Sequence, residues 1–552
     1  MAESKASGIV MGIKNDKALI QHETSKLPNR NMFVVGGPGS MKTQSFVLTN
    51  MINITDASIV VTDPKGEIYE KTAKIKEAQG YEVRVVNFKN MAISDHYNPF
   101  GYVRKDLDAT TVANTIVSAK NDPKRKDIWF NAQLGLLKAL ILYVRTEFHP
   151  DKRNMEGILD FLQEFDPEVN EDGESELDEK FMELDKMHPA RRSYELGFKK
   201  SQEKTRASII ISLLTTIGDY VDDDVANFTK NNDFFFEDIG TKKVALYVLI
   251  PTMDTTWEGL INLFFTQLFQ ELYILGDKNN AKLPVPVVLL LDEFPNLGKF
   301  DNYEIFLATC RGYRIACCTI LQNNTQLMDK YGKDKAESIL GNCAIKICLG
   351  NVNDTTANYF SNLMGKTTVK VETGGSSLSR GKSGSSSSSS NYSFSQRSLM
   401  NSDEILTMSE DDSLVLIAGK YPIKAKKAKQ FVLFPGLADK YEVSQMEYQR
   451  KTSEASMKEY EQTVAAHETL LEKKEQEHQE KIREAHAIEQ ERQDRLLAAQ
   501  ERQKSDIEEQ EDAAQDQADI WAQMQEQEMY QNSIDALDAL DDEETEKKSE
   551  VI

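Results

Sequence analysis

The stretch Phe33–Val47 reads FVVGGPGSMKTQSFV. An apolar run enters it, a Gly/Pro/Ser turn breaks it, and a helical pattern follows. That is the layout of a loop that wraps phosphate between a strand and a helix. Small residues let backbone N–H groups turn inward, and the helix N-terminus adds amides of its own. Gly36–Thr43, GGPGSMKT, compares with the pattern G-x-x-x-x-G-K-[ST]. Gly36, Gly37, Gly39 and Ser40 supply the small residues. Lys42 is placed to reach β- and γ-phosphates, and the Thr43 hydroxyl follows directly as a Mg²⁺ ligand. The glycine expected before the lysine is Met41. Its backbone is expected at φ < 0, or in a left-handed conformation at a cost of about 1–2 kcal/mol.

Seven further β-rich runs accompany Met32–Gly37: Ser58–Asp63, Val83–Phe88, Val244–Pro251, Val285–Phe294, Ile315–Gln322, Ile345–Gly350 and Ser413–Gly419. Most are apolar throughout rather than alternating, as strands buried on both faces of a parallel sheet are. Helical patterns such as Ile68–Gly80 lie between them. The body is therefore read as α/β, a doubly wound, mostly parallel sheet over residues 1–105 and 227–440. Residues 106–226 hold helical patterns without strand signals, Ala132–Phe148 and Lys204–Val221 among them, and are read as an inserted all-α domain. Gly374–Ser393 is a Ser/Gly-rich stretch, read as a flexible loop.

Val287–Phe294, VVLLLDEF, is a buried strand ending in two carboxylates. With a phosphate loop upstream, Asp292 is placed to hold the Mg²⁺ shell and Glu293 to polarise an attacking water. Gln322 ends the following strand, so it can sense a γ-phosphate from next door. Arg311 lies in the turn before that strand and is expected to face a neighbouring subunit, where it would act in trans. Asp63 and Lys65 stand at a strand end near the same crevice, and a nucleotide role for them is left open.

The 552 residues carry a net charge of −23, of which residues 451–552 hold −18. The acidity thus belongs to a tail, residues 441–552, without Gly or Pro and rich in Glu, Gln, Lys and Ala. It reads as a long exposed helix ending in a disordered acidic stretch from Asp535. A nearly neutral body can still carry a basic channel; its densest basic run, Lys420–Lys429, reads as either a DNA groove or a solvated edge. Cys310, Cys317, Cys318, Cys343 and Cys348 sit in apolar segments without a CxxC pair, as core thiols in a reducing compartment do. Neither a secretory signal nor an apolar stretch of the roughly 20 residues that span a bilayer is present.

Taken in order, VVGGPGSMKTQS, VTDPKGEIYEKTA, the YNPF of Tyr97–Phe100, LLLDEFPNLGKF, TILQNNTQLMDKYG and QRSLMNSDEIL resemble the VirD4/TraG family of type IV coupling proteins over roughly residues 8–435. The resemblance implies a RecA-like motor with a helical insertion, driven by ATP and Mg²⁺. It implies a homo-hexamer with nucleotide between subunits and a channel for single-stranded DNA. Relaxase and accessory relaxosome proteins, and the secretion channel's ATPase or inner-membrane components, are the implied partners. Lys42, Thr43, Asp292, Glu293, Arg311 and Gln322 occupy the motor positions. Family members usually carry transmembrane helices ahead of the phosphate loop, so a cytoplasmic location at the membrane, through a partner or a preceding segment, is expected. Two other readings remain: a docking platform that binds nucleotide with little hydrolysis, and a protein-exporting ATPase without DNA.

Overall fold

The computed structural model describes residues 7–120, 127–165, 175–200, 203–378 and 386–546. Its strands are β1 (Ile9–Lys14), β2 (Lys17–Gln21), β3 (Met32–Val35), β4 (Ser58–Asp63), β5 (Glu82–Asn87), β6 (Val244–Leu249), β7 (Val287–Leu291), β8 (Ile315–Leu321), β9 (Ile345–Cys348), β10 (Lys366–Leu378), β11 (Ser386–Ser398), β12 (Asp412–Ile417) and β13 (Ile423–Lys426). Eleven form one sheet in the order β2-β1-β13-β12-β9-β3-β8-β7-β4-β6-β5. The seven from β9 to β5 are parallel throughout. Each was legible as an apolar run because both of its faces are covered. On β3, Phe33 and Val35 join one apolar layer while Met32 and Val34 join the other, following the two-residue alternation of a strand.

The eighth run became β12, which pairs antiparallel with β9. Apolar content reports burial, not strand direction. Beyond it, β13, β1 and β2 continue antiparallel. The β1–β2 hairpin turns through Asn15 and Asp16, both at positive φ (50° and 60°), as two-residue hairpin turns require. The basic run 420–429 supplies β13, and three of its lysines pair with acids at the start of β12. Lys424 and Lys426 meet Asp412 at 3.0 and 2.6 Å, and Lys429 meets Asp411 at 2.6 Å.

Between β5 and β6 the described residues are helical, with long helices at Asp106–Lys120, Ile128–Glu147 and Glu203–Ile217. Residues of the first two and of Met155–Gln163 share one continuous apolar cluster with Phe33, Val35 and Leu289 of the sheet. These helices pack chiefly on one another, and through Glu258–Lys278 their apolar layer runs on into that of the sheet. Gly135 and Gly197 are what let two of their backbones touch: a Cβ on Gly135 would lie 2.8 Å from the Gly197 Cα.

The Ser-rich stretch is entered from both sides by strands. β10 and β11 pair antiparallel in unbroken register from Lys366–Ser398 to Leu378–Ser386, so the loop expected at 374–393 gives way to a hairpin, and residues 379–385 lie outside the described residues. All five cysteines are buried and free. Among the described residues no helix is long and apolar enough to cross a membrane.

The chain divides into Met1–Val464 and Ala465–Ile552. Residues 441–464, grouped with the tail in the sequence, belong to the first unit. There the Tyr448 hydroxyl donates to Asp95 (2.6 Å), the Thr452 hydroxyl donates to Asp233 (2.6 Å), and the Val443 amide donates to the Glu70 carbonyl (2.9 Å). The second unit is helical, within Glu454–Glu546, and carries ion pairs one turn apart such as Arg495–Glu491 at 2.7 Å. The acidic end expected to be disordered is helical as far as Glu546, and 547–552 lie outside the described residues.

Candidate nucleotide site

The phosphate-type loop leaves the carboxyl end of β3 and runs into a helix that opens at Thr43, makes a π turn to Val47 and continues to Asn53. β8 and then β7 lie beside β3, so the ends of three adjacent strands converge on this loop. The Lys42 ammonium donates to the Gly36 carbonyl (2.8 Å) and lies 3.7 Å from Glu293 Oε1. The Gln322 amide, at the end of β8, donates to both Glu293 oxygens at 3.2 Å. The structure thus brings Lys42, Glu293 and Gln322 into one polar cluster, and Asp292 stands beside it at the end of β7.

Met41 takes φ +62°, the left-handed alternative, and holds the backbone geometry that the pattern reserves for glycine. The cost of about 1–2 kcal/mol is met locally. The Met41 carbonyl accepts from the Ser45 amide (2.8 Å) and from the Ser45 hydroxyl (2.7 Å). Gly37 is fixed more tightly: its amide donates to the Gly350 carbonyl (3.1 Å), and a Cβ there would come 1.6 Å from the Asn351 carbonyl oxygen. Gly36 has Ser40 Oγ where its Cβ would be, at 2.4 Å. The Ser40 hydroxyl is buried without a hydrogen-bond partner, an orphan of the kind an anion in the loop would satisfy. The residues present therefore fit a phosphate group, with Thr43 and Asp292 available to a divalent cation and Lys42 to the phosphates.

Asp292 is 4 % exposed, and its own Oδ1 accepts from the Glu293 amide (3.1 Å). Burial pushes its carboxyl up to about 7, with the Glu293 charge adding to the rise and the Lys42 ammonium opposing it. An unfolded Asp titrates near 3.9. Between about pH 4 and 7 the folded chain therefore keeps a proton the unfolded chain has lost, so stability falls as pH rises through that window and levels off above it. Asp292→Asn removes this titration. The variant is expected to match the wild type near pH 4 and to exceed it at pH 8 by on the order of 2–4 kcal/mol, and Mg²⁺ should raise the wild type alone. Denaturant unfolding of both chains at the two pH values, with and without Mg²⁺, checks this.

Arg311 is not brought to this cluster. It precedes β8, whose seven residues span about 23 Å, so it sits at the opposite edge of the sheet from Gln322. It is exposed, and its guanidinium donates to the Pro28 carbonyl. Asp63, whose role was open, is committed to structure. Its Oδ1 accepts from the Gly66 (2.7 Å) and Lys65 (3.3 Å) amides and its Oδ2 from Tyr69 (2.9 Å), capping the helix Glu67–Ala78.

Two residues at the loop escaped the sequence reading. Asn351, at φ +52°, donates from its side chain to the Pro38 carbonyl (3.2 Å). Lys427, 6 % exposed, donates to the Ser40 carbonyl (2.9 Å) and so ties the end of β13 to the loop. The Asn-Val-Asn after β9 signalled a turn, but nothing in the sequence showed that the turn backs the phosphate loop. Lys427 was hidden in a run of lysines.

A parallel sheet with a phosphate-type loop after one strand and a carboxylate pair after a near neighbour defines a RecA-like α/β protein. Residues 5–463 match the family described as type IV secretory system conjugative DNA transfer, so the chain belongs to that family, the one its motifs resemble. It is 27% identical over 379 residues to a conjugal transfer protein TraG of Escherichia coli, covering 64% of this chain and 58% of that protein. It is 23% identical over 390 residues to the protein VirD4 of Rhizobium radiobacter, covering 68% and 53%. The chain thus spans little more than half the length of these curated relatives. The solved plasmid coupling protein TrwB, in complex with the ATP analogue ADPNP, shares the fold with a TM-score of 0.55 at 15% identity, over 77% of this chain and 90% of that one. TrwB has also been solved with ADP and Mg²⁺ (TM-score 0.54, 15% identity, 77% and 90% covered).

Proposed function

We propose that this protein is an ATP-driven coupling motor that recruits a relaxase–DNA complex and passes single-stranded DNA to a type IV secretion channel. The observation that carries the reading is the Lys42–Glu293–Gln322 cluster over the phosphate-type loop. It places a phosphate ligand, a carboxylate and an amide on three neighbouring strand ends. Bound ATP would supply the phosphoanhydride and Mg²⁺ a compensating positive charge. Lys42 would bind phosphate, Asp292 and Thr43 would hold the cation, Glu293 would orient the attacking water and accept its proton, and Gln322 would position Glu293. Arg311 lies away from this cluster and would serve such a site from a neighbouring subunit of a homo-hexamer. Relaxosome proteins and the channel's ATPase or inner-membrane components are the partners, on the cytoplasmic side of the membrane.

The test is hydrolysis by the full chain, with and without single-stranded DNA, for the wild type and Lys42→Ala. Turnover stimulated by DNA and lost in the variant is expected. Nucleotide binding with no turnover in a DNA-bound assembly would move the protein to the docking-platform reading.

A further inference from the structure

β10 and β11 form a two-stranded sheet separate from the main one. The hairpin grows from the helix Asp354–Met364, and its base is closed by the Leu399 amide on the Gly365 carbonyl (2.9 Å) and the Ser361 hydroxyl on the Met400 carbonyl (2.7 Å). That helix begins three residues after Asn351, which backs the phosphate-type loop. The pairing places Lys366, Thr368, Lys370 and Glu372 on one face, opposite Ser398, Gln396, Phe394 and Tyr392. The other face, with Thr367 and Val369, is half-buried at its base.

On the open face Phe394 is 76% and Tyr392 58% exposed. Cross-strand packing accounts for part of this, since the Lys370 ammonium sits 3.4 Å from the Tyr392 ring centroid and pairs with Glu372 at 3.0 Å. It leaves Phe394 bare and one side of Tyr392 open. Two residues apart on a strand, Tyr392 and Phe394 leave the backbone about 6.5–7 Å from each other. An extended nucleic-acid strand can match that spacing with successive bases. Aromatic rings flanked by lysines, with hydrogen-bonded backbone behind them, make a stacking platform that tolerates any base.

We propose that this face binds single-stranded nucleic acid, with Tyr392 and Phe394 stacking on successive bases and Lys366 and Lys370 facing the flanking phosphates. The assignment rests on the motor reading for its substrate, and it adds a contact site on an arm one helix away from the nucleotide loop.

The experiment is fluorescence anisotropy of labelled oligo(dT) with the full chain. The double variant Tyr392→Ala/Phe394→Ala is expected to bind about 10- to 100-fold more weakly than the wild type, with DNA-free hydrolysis unchanged. Phe394→Trp should add an indole signal that oligo(dT) quenches, a response a purely structural ring would not give. Lys366→Ala/Lys370→Ala should flatten the salt dependence. If the wild type binds and the aromatic double variant binds equally, the hairpin assignment is wrong and the motor reading stands. The same holds if that variant keeps DNA affinity but loses a protein partner. If the wild type binds no oligo(dT) in any nucleotide state, the DNA reading and the hairpin assignment fall together.

Discussion

Glu293→Gln is expected to lower nucleotide turnover by about 100- to 10,000-fold, the contribution typical of a positioned general base, while leaving nucleotide affinity within a few-fold of the wild type. The carboxylate is held by Lys42 on one side and by the Gln322 amide on both oxygens. Its backbone is in the left-handed region at φ +49°, a conformation a bulky residue keeps only where its surroundings enforce it. Glutamine preserves the size and most of the contacts but cannot accept a proton. A structural role would therefore survive the change and a base would not. Single-turnover hydrolysis and equilibrium binding on the same preparation separate the two; unchanged turnover would remove Glu293 from the chemistry.

Gly37→Ala is expected to abolish phosphate binding at the loop, whereas Gly39→Ala should weaken it modestly. The contrast rests on what a methyl group meets. At Gly37 it would lie 1.6 Å from the Asn351 carbonyl oxygen and 2.8 Å from its carbonyl carbon, both backbone atoms, so the loop or the β9 turn must move. At Gly39 the nearest atom is the Asn351 side-chain nitrogen at 3.6 Å, and the cost is the left-handed backbone at φ +76°, about 1–2 kcal/mol. Nucleotide affinity is expected to drop at least 100-fold in the first variant and about 5- to 30-fold in the second, from that cost at 1.4 kcal/mol per decade. Circular dichroism and thermal melts check that both chains fold. Equal losses would mean that the loop does not depend on its packing against the β9 turn.

What the sequence made legible follows burial and chemistry. Runs such as Ser58–Asp63 and Ile315–Gln322 announced their strands because both faces of β4 and β8 are packed. The partners of Lys42 could be foreseen because carboxylates and amides at the ends of apolar strands must share one sheet edge. β2 and β13 escape notice because short antiparallel strands carry mixed patterns: Ile423–Lys426 alternates apolar residues with lysine and looks like a charge run. The hairpin was missed because serine has no strand signature, and its pairing is carried by backbone rather than by apolar side chains. Lys427 and Asn351 were invisible for a different reason: each acts on the loop from far along the chain, and only the folded sheet sets them beside Ser40 and Pro38.

On this reading GGPGSMKT, methionine included, is a working nucleotide loop. Calorimetric titration of the full chain with ATP, with and without Mg²⁺, for the wild type and Lys42→Ala, tests it most directly. One site per chain is expected, strengthened by Mg²⁺ and weakened at least 10-fold by Lys42→Ala, in keeping with the loss of a charge-assisted contact to phosphate. No binding by the folded wild type, or equal binding by both chains, would contradict it.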